Sequence, residues 1–107
     1  MITQHVVSYG GDITLTRLPA GRAEGFVWLP FVAAGAGVDT WPIHEHVRLT
    51  WLDGTAGDVV GSGGGGDSNL HHFLIEVLDA GYDRLIISYV EGDEVIGHEV
   101  IELPSRV

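Results

Sequence analysis

Two histidines separated by one residue are the first feature of this chain that could do chemistry. His44 and His46 lie in the run Ile43–Leu52, "IHEHVRLTWL". If that run is a β-strand, the two imidazoles point to the same face, with about 6–7 Å between their Cα atoms. Two imidazoles at that separation can bind one divalent transition metal. The spacing therefore gives a candidate metal site at His44 and His46.

The same motif resembles the first motif of cupin barrels, a small β fold that places histidines on a strand around a metal. The resemblance covers about ten residues and implies a small metal-binding protein or enzyme. Thr50 and Trp51 stand where the cupin motif has a glutamate. The alternative is that His44 and His46 line the wet face of a sheet beside Arg48. Three more histidines show no spacing that would single out a further ligand: His71, His72 and His98.

A glycine-rich stretch is the second candidate. Gly61–Gly66, "GSGGGG", matches the G-x-G-x-x-G pattern that cradles dinucleotide phosphates. Such a site needs a strand before the glycines and a helix after them. Only Val59 and Val60 precede the stretch as a strand signal, and the acidic Asp67 would repel a phosphate. We interpret residues 61–67 as a flexible loop, natural or inserted as a linker, and keep nucleotide binding through Gly61–Gly66 as a third functional alternative.

No motif predicts a catalytic residue. None of the serines has the G-x-S-x-G context of a nucleophile elbow. The carboxylates of the second half lie at turn or strand-face positions, where a solvated surface is the ordinary explanation. The sequence therefore favours a protein without catalytic activity and without a cofactor, the transition metal at the two histidines being the alternative.

Three aromatic residues form a candidate interface. Phe26, Trp28 and Phe31 lie in the apolar run "GFVWLPFVAA", which also contains Pro30. Proline cannot donate to a β-ladder, so this run is predicted to be an edge strand or to be broken in two. Aromatic anchors on an exposed edge are typical of protein interfaces. We predict contact residues at Phe26, Trp28 and Phe31, a well-filled core being the alternative.

Short apolar runs between glycine turns predict the elements that position these residues. Ile2–Ser8 and Ile13–Leu18 flank a Gly-Gly pair, which favours a hairpin with a two-residue turn. Leu70–Leu78 fits either a single helix over residues 68–79 or a buried strand, because periodicity alone does not separate the two. We favour the strand, since the chain after residue 83 has the β-branched and aromatic runs of further strands.

These elements predict one all-β domain over residues 1–107. The expected architecture is a small antiparallel β-sandwich or barrel of about 7–8 strands. Apolar residues make up 45% of the chain, and there is no cysteine. That composition supports a folded core and excludes disulfides and thiolate metal sites.

The charge of the chain restricts its partners. Residues 1–52 carry four acids and three arginines, a net of −1, and residues 53–107 carry eleven acids and two arginines, a net of −9. An acidic surface repels phosphate groups, so nucleic-acid binding and docking to anionic membranes are disfavoured. No basic and apolar leader and no membrane-length apolar run is present. The expectation is a soluble protein without a signal peptide, either cytoplasmic or part of an assembly.

The order of elements over residues 40–103 resembles bacterial and phage immunoglobulin-like modules. The resemblance rests on a strand such as "HEHVRLTWLDG", then a loop, then a pair such as "HHFLIEVLDAGYDRLIISYV". It implies a non-enzymatic structural or adhesive role, often within a virion or a surface assembly. The function predicted from the sequence is therefore an interaction module that binds protein, as a subunit of a homo-oligomer or of a larger assembly.

Overall fold

Two antiparallel β-sheets face each other in the computed structural model, which describes residues 5–105. The strands in chain order are β1 (His5–Tyr9), β2 (Ile13–Arg17), β3 (Gly21–Ala23), β4 (Phe26–Ala34), β5 (Val47–Trp51), β6 (Val59–Gly66), β7 (Leu70–Leu78), β8 (Arg84–Glu91) and β9 (Glu94–Glu102). The large sheet has the order β1-β2-β4-β7-β6, with β3 also paired to β4. The small sheet has the order β5-β8-β9.

This architecture confirms the all-β prediction, with nine strands in the described chain where about 7–8 were expected. The helical turns of residues 5–105 are two short 3-10 turns, Val38–Thr40 and Ile43–Glu45. The helix considered over residues 68–79 is wrong, and the strand interpretation of Leu70–Leu78 is confirmed. Within the described part of the chain, no helix is long and apolar enough to cross a membrane.

The core lies between the two sheets, because alternate side chains of each strand point inward. β4 contributes four fully buried residues: Val27, Leu29, Phe31 and Ala33. From the facing strand β8 come Leu85, Ile87 and Tyr89, and Trp51 of β5 lies beside them. Burying one large apolar side chain stabilises a fold by roughly 1.5–3 kcal/mol. The sandwich therefore depends on the inward-facing half of each strand.

The predicted hairpin between β1 and β2 is confirmed. The two strands pair antiparallel from His5 opposite Arg17 to Tyr9 opposite Ile13. Their connection, residues 10–12, is one residue longer than the expected two-residue turn, and both of its glycines have positive φ. The first residues of the predicted strand, 2–4, lie outside the described part of the chain.

The strand that contains Pro30 is central and continuous. β4 pairs with β7 along its whole length on one side, and with β2 and then β3 on the other. Pro30 faces the gap between β2 and β3, where its carbonyl accepts a hydrogen bond from the N–H of Leu18 at 2.9 Å. The N and C=O of a residue in an antiparallel strand point to the same side, so the missing N–H costs no bond to β7. The prediction of an edge strand or a broken strand is wrong for this reason.

The glycine-rich stretch is also a strand, which corrects the loop predicted for residues 61–67. β6 pairs antiparallel with β7, from Gly61 opposite Glu76 to Gly66 opposite His71. Glycine has a low intrinsic preference for strands. The apolar β7 supplies the ladder that holds this glycine strand at the edge of the large sheet.

Two glycines of β6 are required by the close approach of β7. A Cβ atom on Gly64 would lie 2.5 Å from the carbonyl oxygen of His72, and one on Gly66 would overlap the carbonyl oxygen of Leu70. A Cβ atom on Gly63, in contrast, would meet no atom within 4 Å. Neighbouring positions of one strand thus differ in whether a side chain fits.

This difference gives a stability prediction. We expect Gly64→Ala to destabilise the chain by about 1–3 kcal/mol, because the methyl group displaces the backbone of one strand from the other. Gly63→Ala is the matched control, and we expect it to change stability by less than about 0.5 kcal/mol or to stabilise slightly. Urea denaturation of both variants measures the effect. Equal stabilities for the two would show that residues 61–66 are a loop in solution.

A buried arginine fastens β3 to the connection between β7 and β8. The Nε and Nη2 atoms of Arg22 each donate to the carboxylate of Asp79 at 2.9 Å. Arg22 also donates to the carbonyl oxygens of Tyr82, at 2.6 Å, and Pro104, at 3.3 Å. Its side chain is 1% exposed and that of Asp79 is 10% exposed. A single guanidinium therefore holds three separate segments of the chain together.

A second buried arginine joins the two sheets. Arg17 of β2 donates from Nε and Nη2 to the carboxylate of Glu99 on β9, at 2.9 and 2.8 Å. The hydroxyl of Tyr89 on β8 donates to the same carboxylate at 2.5 Å. Burial raises the pKa of Glu99, but the hydrogen bonds from Arg17 and Tyr89 outweigh it and hold that pKa below its ordinary value of 4.5. Burial, followed by the contact with Glu99, raises the pKa of Tyr89. Glu99 is therefore ionised and Tyr89 neutral near pH 7.

Candidate interaction surface

The side chains of β4 and β7 that point away from the core form a mostly apolar surface, which we call the outer face. Pairing between the strands places Phe26 opposite Leu78 and Pro30 opposite Leu74. Leu74 and Leu78 are 40% and 46% exposed. The outer face consists of Phe26, Trp28, Pro30, Val32 and Ala34 of β4 and of Leu70, His72, Leu74, Glu76 and Leu78 of β7. These strands thus present apolar groups on both sides, one to the core and one to solvent.

Trp28 is held in a fixed position on the outer face. Its Nε1–H donates to the Glu76 carboxylate at 2.7 Å. Gly21 of β3 lies against it, and a Cβ atom there would be 3.5 Å from the indole ring. The ring of Phe26 is 6.5 Å away between centroids. An aromatic side chain that is already ordered loses little conformational entropy when a partner covers it.

The predicted interface residues are divided between the two sides of β4. Phe26 and Trp28 lie on the outer face and are half-buried, so their role in an interface stays a prediction. Phe31 is fully buried in the core. It is one position out of phase with the other two, because successive residues of a strand point to opposite faces. The prediction is therefore wrong for Phe31.

The outward side of the small sheet has a different character. Its strands carry charged, hydroxylic and imidazole groups among apolar side chains, Val95 and Ile96 of β9 being exposed as well, and an exposed ion pair joins Arg84 to Glu102 at 3.4 Å. The outward residues are Arg48, Thr50, Arg84, Ile86, Ser88, His98, Val100 and Glu102. An antiparallel sheet with one solvated face normally has such a mixture. In the described chain, the outer face of β4 and β7 thus has a larger share of apolar side chains than the outward side of the small sheet.

The two histidines predicted to share a strand face do not lie on a strand. β5 begins at Val47, and the residues before it form a 3-10 turn. That turn is closed by hydrogen bonds from the N–H of Glu45 to the carbonyl of Pro42, at 3.1 Å, and from the N–H of His46 to the carbonyl of Ile43, at 3.0 Å. A 3-10 turn has three residues per turn, so residues two apart diverge. The strand geometry on which the metal site depended is therefore wrong.

The imidazoles instead have separate partners. The Nδ1 atom of His46 lies 2.8 Å from the carbonyl oxygen of Pro42, and its ring stacks on Trp41 with 4.4 Å between centroids. The Nε2 atom of His44 lies 3.0 Å from the hydroxyl of Ser62 on β6. Within residues 5–105, no group of three or more His, Cys, Asp or Glu side chains is placed to hold a metal ion.

A cleft of about 220 Å³ lies between the 3-10 turn and β6. His44 and Ser62 line it together with the side chains of Trp41 and Phe73 and with residue Leu74. His71 also lines the cleft, and its buried Nδ1 atom has no hydrogen-bond partner among the described residues. A hydroxyl beside an imidazole acts as a nucleophile when a third group orients the imidazole. Within the described residues, the His44 ring has the hydroxyl of Ser62 as its hydrogen-bond partner and no carboxylate beside it.

The glycine stretch lacks the structural context of a dinucleotide site. Such a site presents the N-terminus of a helix to the phosphates directly after the glycines. Residues 70–78 form the strand β7, and residues 67–69 form a tight turn in which Asp67 accepts hydrogen bonds from the N–H groups of Asn69 and Leu70 at 2.8 and 2.9 Å. The helix that nucleotide binding through Gly61–Gly66 requires after the glycines is therefore replaced by a strand.

Sequence reasoning missed the leucines of the outer face. The signal was present in "LHHFLIEVL" and "FVWLPFVAA", where apolar residues occupy both the odd and the even positions. A strand with one solvated face alternates apolar with polar residues, whereas these runs are apolar on both faces.

No family model, curated protein or solved structure matches the chain.

Proposed function

We propose that this chain is a non-enzymatic interaction module that associates with a second copy of itself through the outer face, as a subunit of a homo-oligomer or of a larger protein assembly. The observation that carries the proposal is the contrast between the two sheets. The outer face presents eight apolar side chains with one imidazole and the single carboxylate of Glu76, while the outward side of the small sheet mixes apolar with several charged side chains. A contiguous apolar surface on one side of a soluble domain marks an interaction site.

The charge of the molecule favours a second copy at this surface. The formal net charge is −10 at pH 7, so two copies repel each other over most of their surfaces. The outer face carries one carboxylate, that of Glu76 between Leu74 and Leu78, which accepts the indole N–H of Trp28. Glu76 is the one charged residue of β4 and β7, so two copies that meet there bring only one carboxylate each to the contact. Added salt screens the remaining repulsion and should strengthen the association.

A finer form of the proposal rests on the pattern resemblance of residues 40–103. If the sandwich is immunoglobulin-like, as in bacterial and phage modules, the assembly is a virion or a surface structure. The association through the outer face does not depend on this point.

Replacing two leucines of the outer face tests the proposal. We expect Leu74→Ser combined with Leu78→Ser to weaken self-association by about 30-fold or more. Each leucine removed from an apolar contact reduces the favourable free energy of association by roughly 1–2 kcal/mol. Sedimentation velocity over a range of protein concentrations measures the dissociation constant.

Val100→Ser is the matched control, because Val100 is 52% exposed on the outward side of the small sheet. We expect it to leave the dissociation constant unchanged. A wild-type chain that stays monomeric at millimolar concentration, in both low and high salt, would contradict the proposal. An equal effect of Val100→Ser would contradict the assignment to the outer face.

A further inference from the structure

The outward side chains of β7 are arranged evenly about Leu74. Along this strand the outer face presents in turn Leu70, His72, Leu74, Glu76 and Leu78. His72 and Glu76 each lie two residues from Leu74, on opposite sides, and Leu70 and Leu78 each lie four residues from it. An imidazole and a carboxylate thus occupy equivalent positions on the two sides of one leucine.

The carboxylate of Glu76 needs a second hydrogen-bond donor once the outer face is covered. Its Oε2 atom accepts the indole N–H of Trp28 at 2.7 Å, and its Oε1 atom accepts no hydrogen bond within residues 5–105. Withdrawing a carboxylate from water without a donor or an opposite charge costs free energy. Whatever covers the outer face therefore has to supply one of the two at Glu76.

His72 is the residue of the outer face that can meet this requirement. Its imidazole is exposed and makes no hydrogen bond within the described residues. Apart from His72, Glu76 and the already paired Trp28, the outer face consists of side chains without a donor. His72 lies four residues from Glu76 in the same strand, about 13 Å away, so it does not reach the carboxylate of its own copy. The imidazole of a second copy can supply the donor.

A two-fold axis along the strands does not bring these groups together. Two identical faces meet about an axis in the plane of their contact, directed either along the strands or across them. An axis along β7 sets the two Glu76 carboxylates against each other. An axis between β4 and β7 places Glu76 on the partner's Trp28, whose N–H already donates to the partner's Glu76. In neither case does the carboxylate gain a donor.

An axis across the strands at Leu74 supplies the donor. Positions equally far from the axis then face each other, so Glu76 of each copy meets the partner's His72. An imidazole donates a hydrogen bond to a carboxylate when it is neutral, and a stronger one when it is protonated. An axis displaced to Glu76 would instead set the two carboxylates together. An axis displaced to His72 would place Glu76 opposite the partner's Ser68, before β7 begins.

The same axis matches large side chains with small ones on β4. The pairing of β4 with β7 puts the axis at Pro30. Positions 26 and 34 are equally far from Pro30, as are positions 28 and 32. Phe26 therefore lies on the partner's Ala34, and Trp28 on the partner's Val32. Facing layers that alternate large and small side chains can interdigitate.

We propose that two copies associate through the outer face about a two-fold axis across β4 and β7, in which the imidazole of His72 in each copy donates to the carboxylate of Glu76 in the other. This pairing rests on the self-association proposed above, and adds its geometry and the two residues that select an identical partner. The apolar side chains supply the affinity, and the two imidazole–carboxylate contacts fix the alignment of the strands.

Two variants of equal net charge test the pairing: His72→Lys, and His72→Glu combined with Glu76→Lys. About the proposed axis, each variant pairs unlike charges with a copy of itself, whereas a mixed dimer pairs lysine with lysine and glutamate with glutamate. Equal amounts, one labelled with heavy nitrogen, are mixed at about 50 mM salt, and native mass spectrometry counts the three dimers. We expect mixed dimers to be about tenfold weaker than self-pairs, because two like-charge contacts replace two exposed ion pairs. That leaves mixed dimers below about one tenth of the total, where random pairing gives about one half.

Other distributions would overturn the pairing and leave the self-association standing. An axis along the strands brings position 72 nearest position 72 of the partner, and 76 nearest 76, so mixed dimers would exceed about one half. Random mixing would show that neither residue lies in the contact. Failure of His72→Lys to dimerise where wild type does would also overturn the pairing. A wild-type chain that stays monomeric would overturn both proposals.

A spin label at position 69 measures the same alignment in a chain whose outer face is unchanged. Asn69 is exposed before β7, five residues from Leu74, and the chain has no cysteine of its own. In Asn69→Cys, the axis across the strands puts the two labels at opposite ends of the contact, about 35 Å apart. An axis along the strands puts them at the same end, less than about 20 Å apart. The shorter distance, measured by electron paramagnetic resonance, would overturn the proposal.

Discussion

Replacing Arg22 by methionine is expected to lower the free energy of unfolding by about 3–5 kcal/mol, because it removes the cation from a buried ion pair. The guanidinium donates to the carboxylate of Asp79 and to the carbonyl groups of Tyr82 and Pro104, with its side chain 1% exposed. Small domains are stable by only about 5–15 kcal/mol. The loss is therefore large enough to bring the chain close to unfolding at room temperature.

Arg84→Met is the control for this prediction. Arg84 also pairs with a carboxylate, that of Glu102 at 3.4 Å, but the two side chains are 55% and 80% exposed. Exposed pairs contribute about 0–1 kcal/mol, so we expect Arg84→Met to change stability little. Urea denaturation followed by tryptophan fluorescence measures both variants. Similar losses for the two would show that Arg22 is solvated in solution.

The second large effect is expected at Glu99, and it depends on pH. We expect Glu99→Gln to destabilise the chain by about 3 kcal/mol at pH 7, because Arg17 keeps its buried charge without an opposite one. The folded chain holds the pKa of Glu99 below 4.5, so ionised Glu99 stabilises the fold above about pH 4.5. That contribution is lost as the pH falls through the lower pKa of the folded state.

The stability difference between wild type and Glu99→Gln should therefore be largest near neutral pH and should decrease below about pH 4.5, as wild-type Glu99 takes up a proton. Denaturation curves at several pH values between 3 and 7 measure it. Glu102→Gln, in the exposed pair with Arg84, is expected to show only a small difference at every pH. A difference for Glu99→Gln that stays constant over this range would contradict the role of the ionised carboxylate.

Turn chemistry and apolar runs were enough to predict the sheet content of this chain. The hairpin of β1 and β2 followed from two apolar runs around Gly10 and Gly11, and the strand at Leu70–Leu78 from its β neighbours. The structural errors have local causes. Pro30 fits a central strand because it lies between the residues of β4 that pair with β2 and those that pair with β3, where its missing N–H interrupts no ladder. The glycines of β6 form a strand because the neighbouring strand supplies the ladder.

The strand predicted around the two histidines was wrong because of the phase of a few residues. Residues 43–46 were counted into the alternation of the strand that follows them, although Glu45 has the parity of Ile43, Val47 and Leu49 and would place an acid on the apolar face. The 3-10 turn begins after Pro42, and the strand begins only at Val47. An acidic residue at an expected core position was the signal that the strand starts later.

The buried arginines could be placed only partly by sequence reasoning. In "ITLTR", Arg17 has the same parity as Ile13 and Leu15, which puts it on the inward face. Its partner Glu99 is 82 residues away. A pairing over that distance depends on how the two sheets face each other, which strand patterns do not determine.

The order of strands has a consequence for how the chain reaches this fold. Four hairpins, β1–β2, β3–β4, β6–β7 and β8–β9, join neighbouring strands through turns of two or three residues. The pairings that complete the two sheets, β4 with β7 and β5 with β8, each connect strands that are more than 30 residues apart in the chain. Closing such loops costs entropy before any long-range contact forms, which slows folding relative to helical domains of the same size. We therefore expect the local hairpins to form first and their assembly around β4 and β8 to limit the rate of folding.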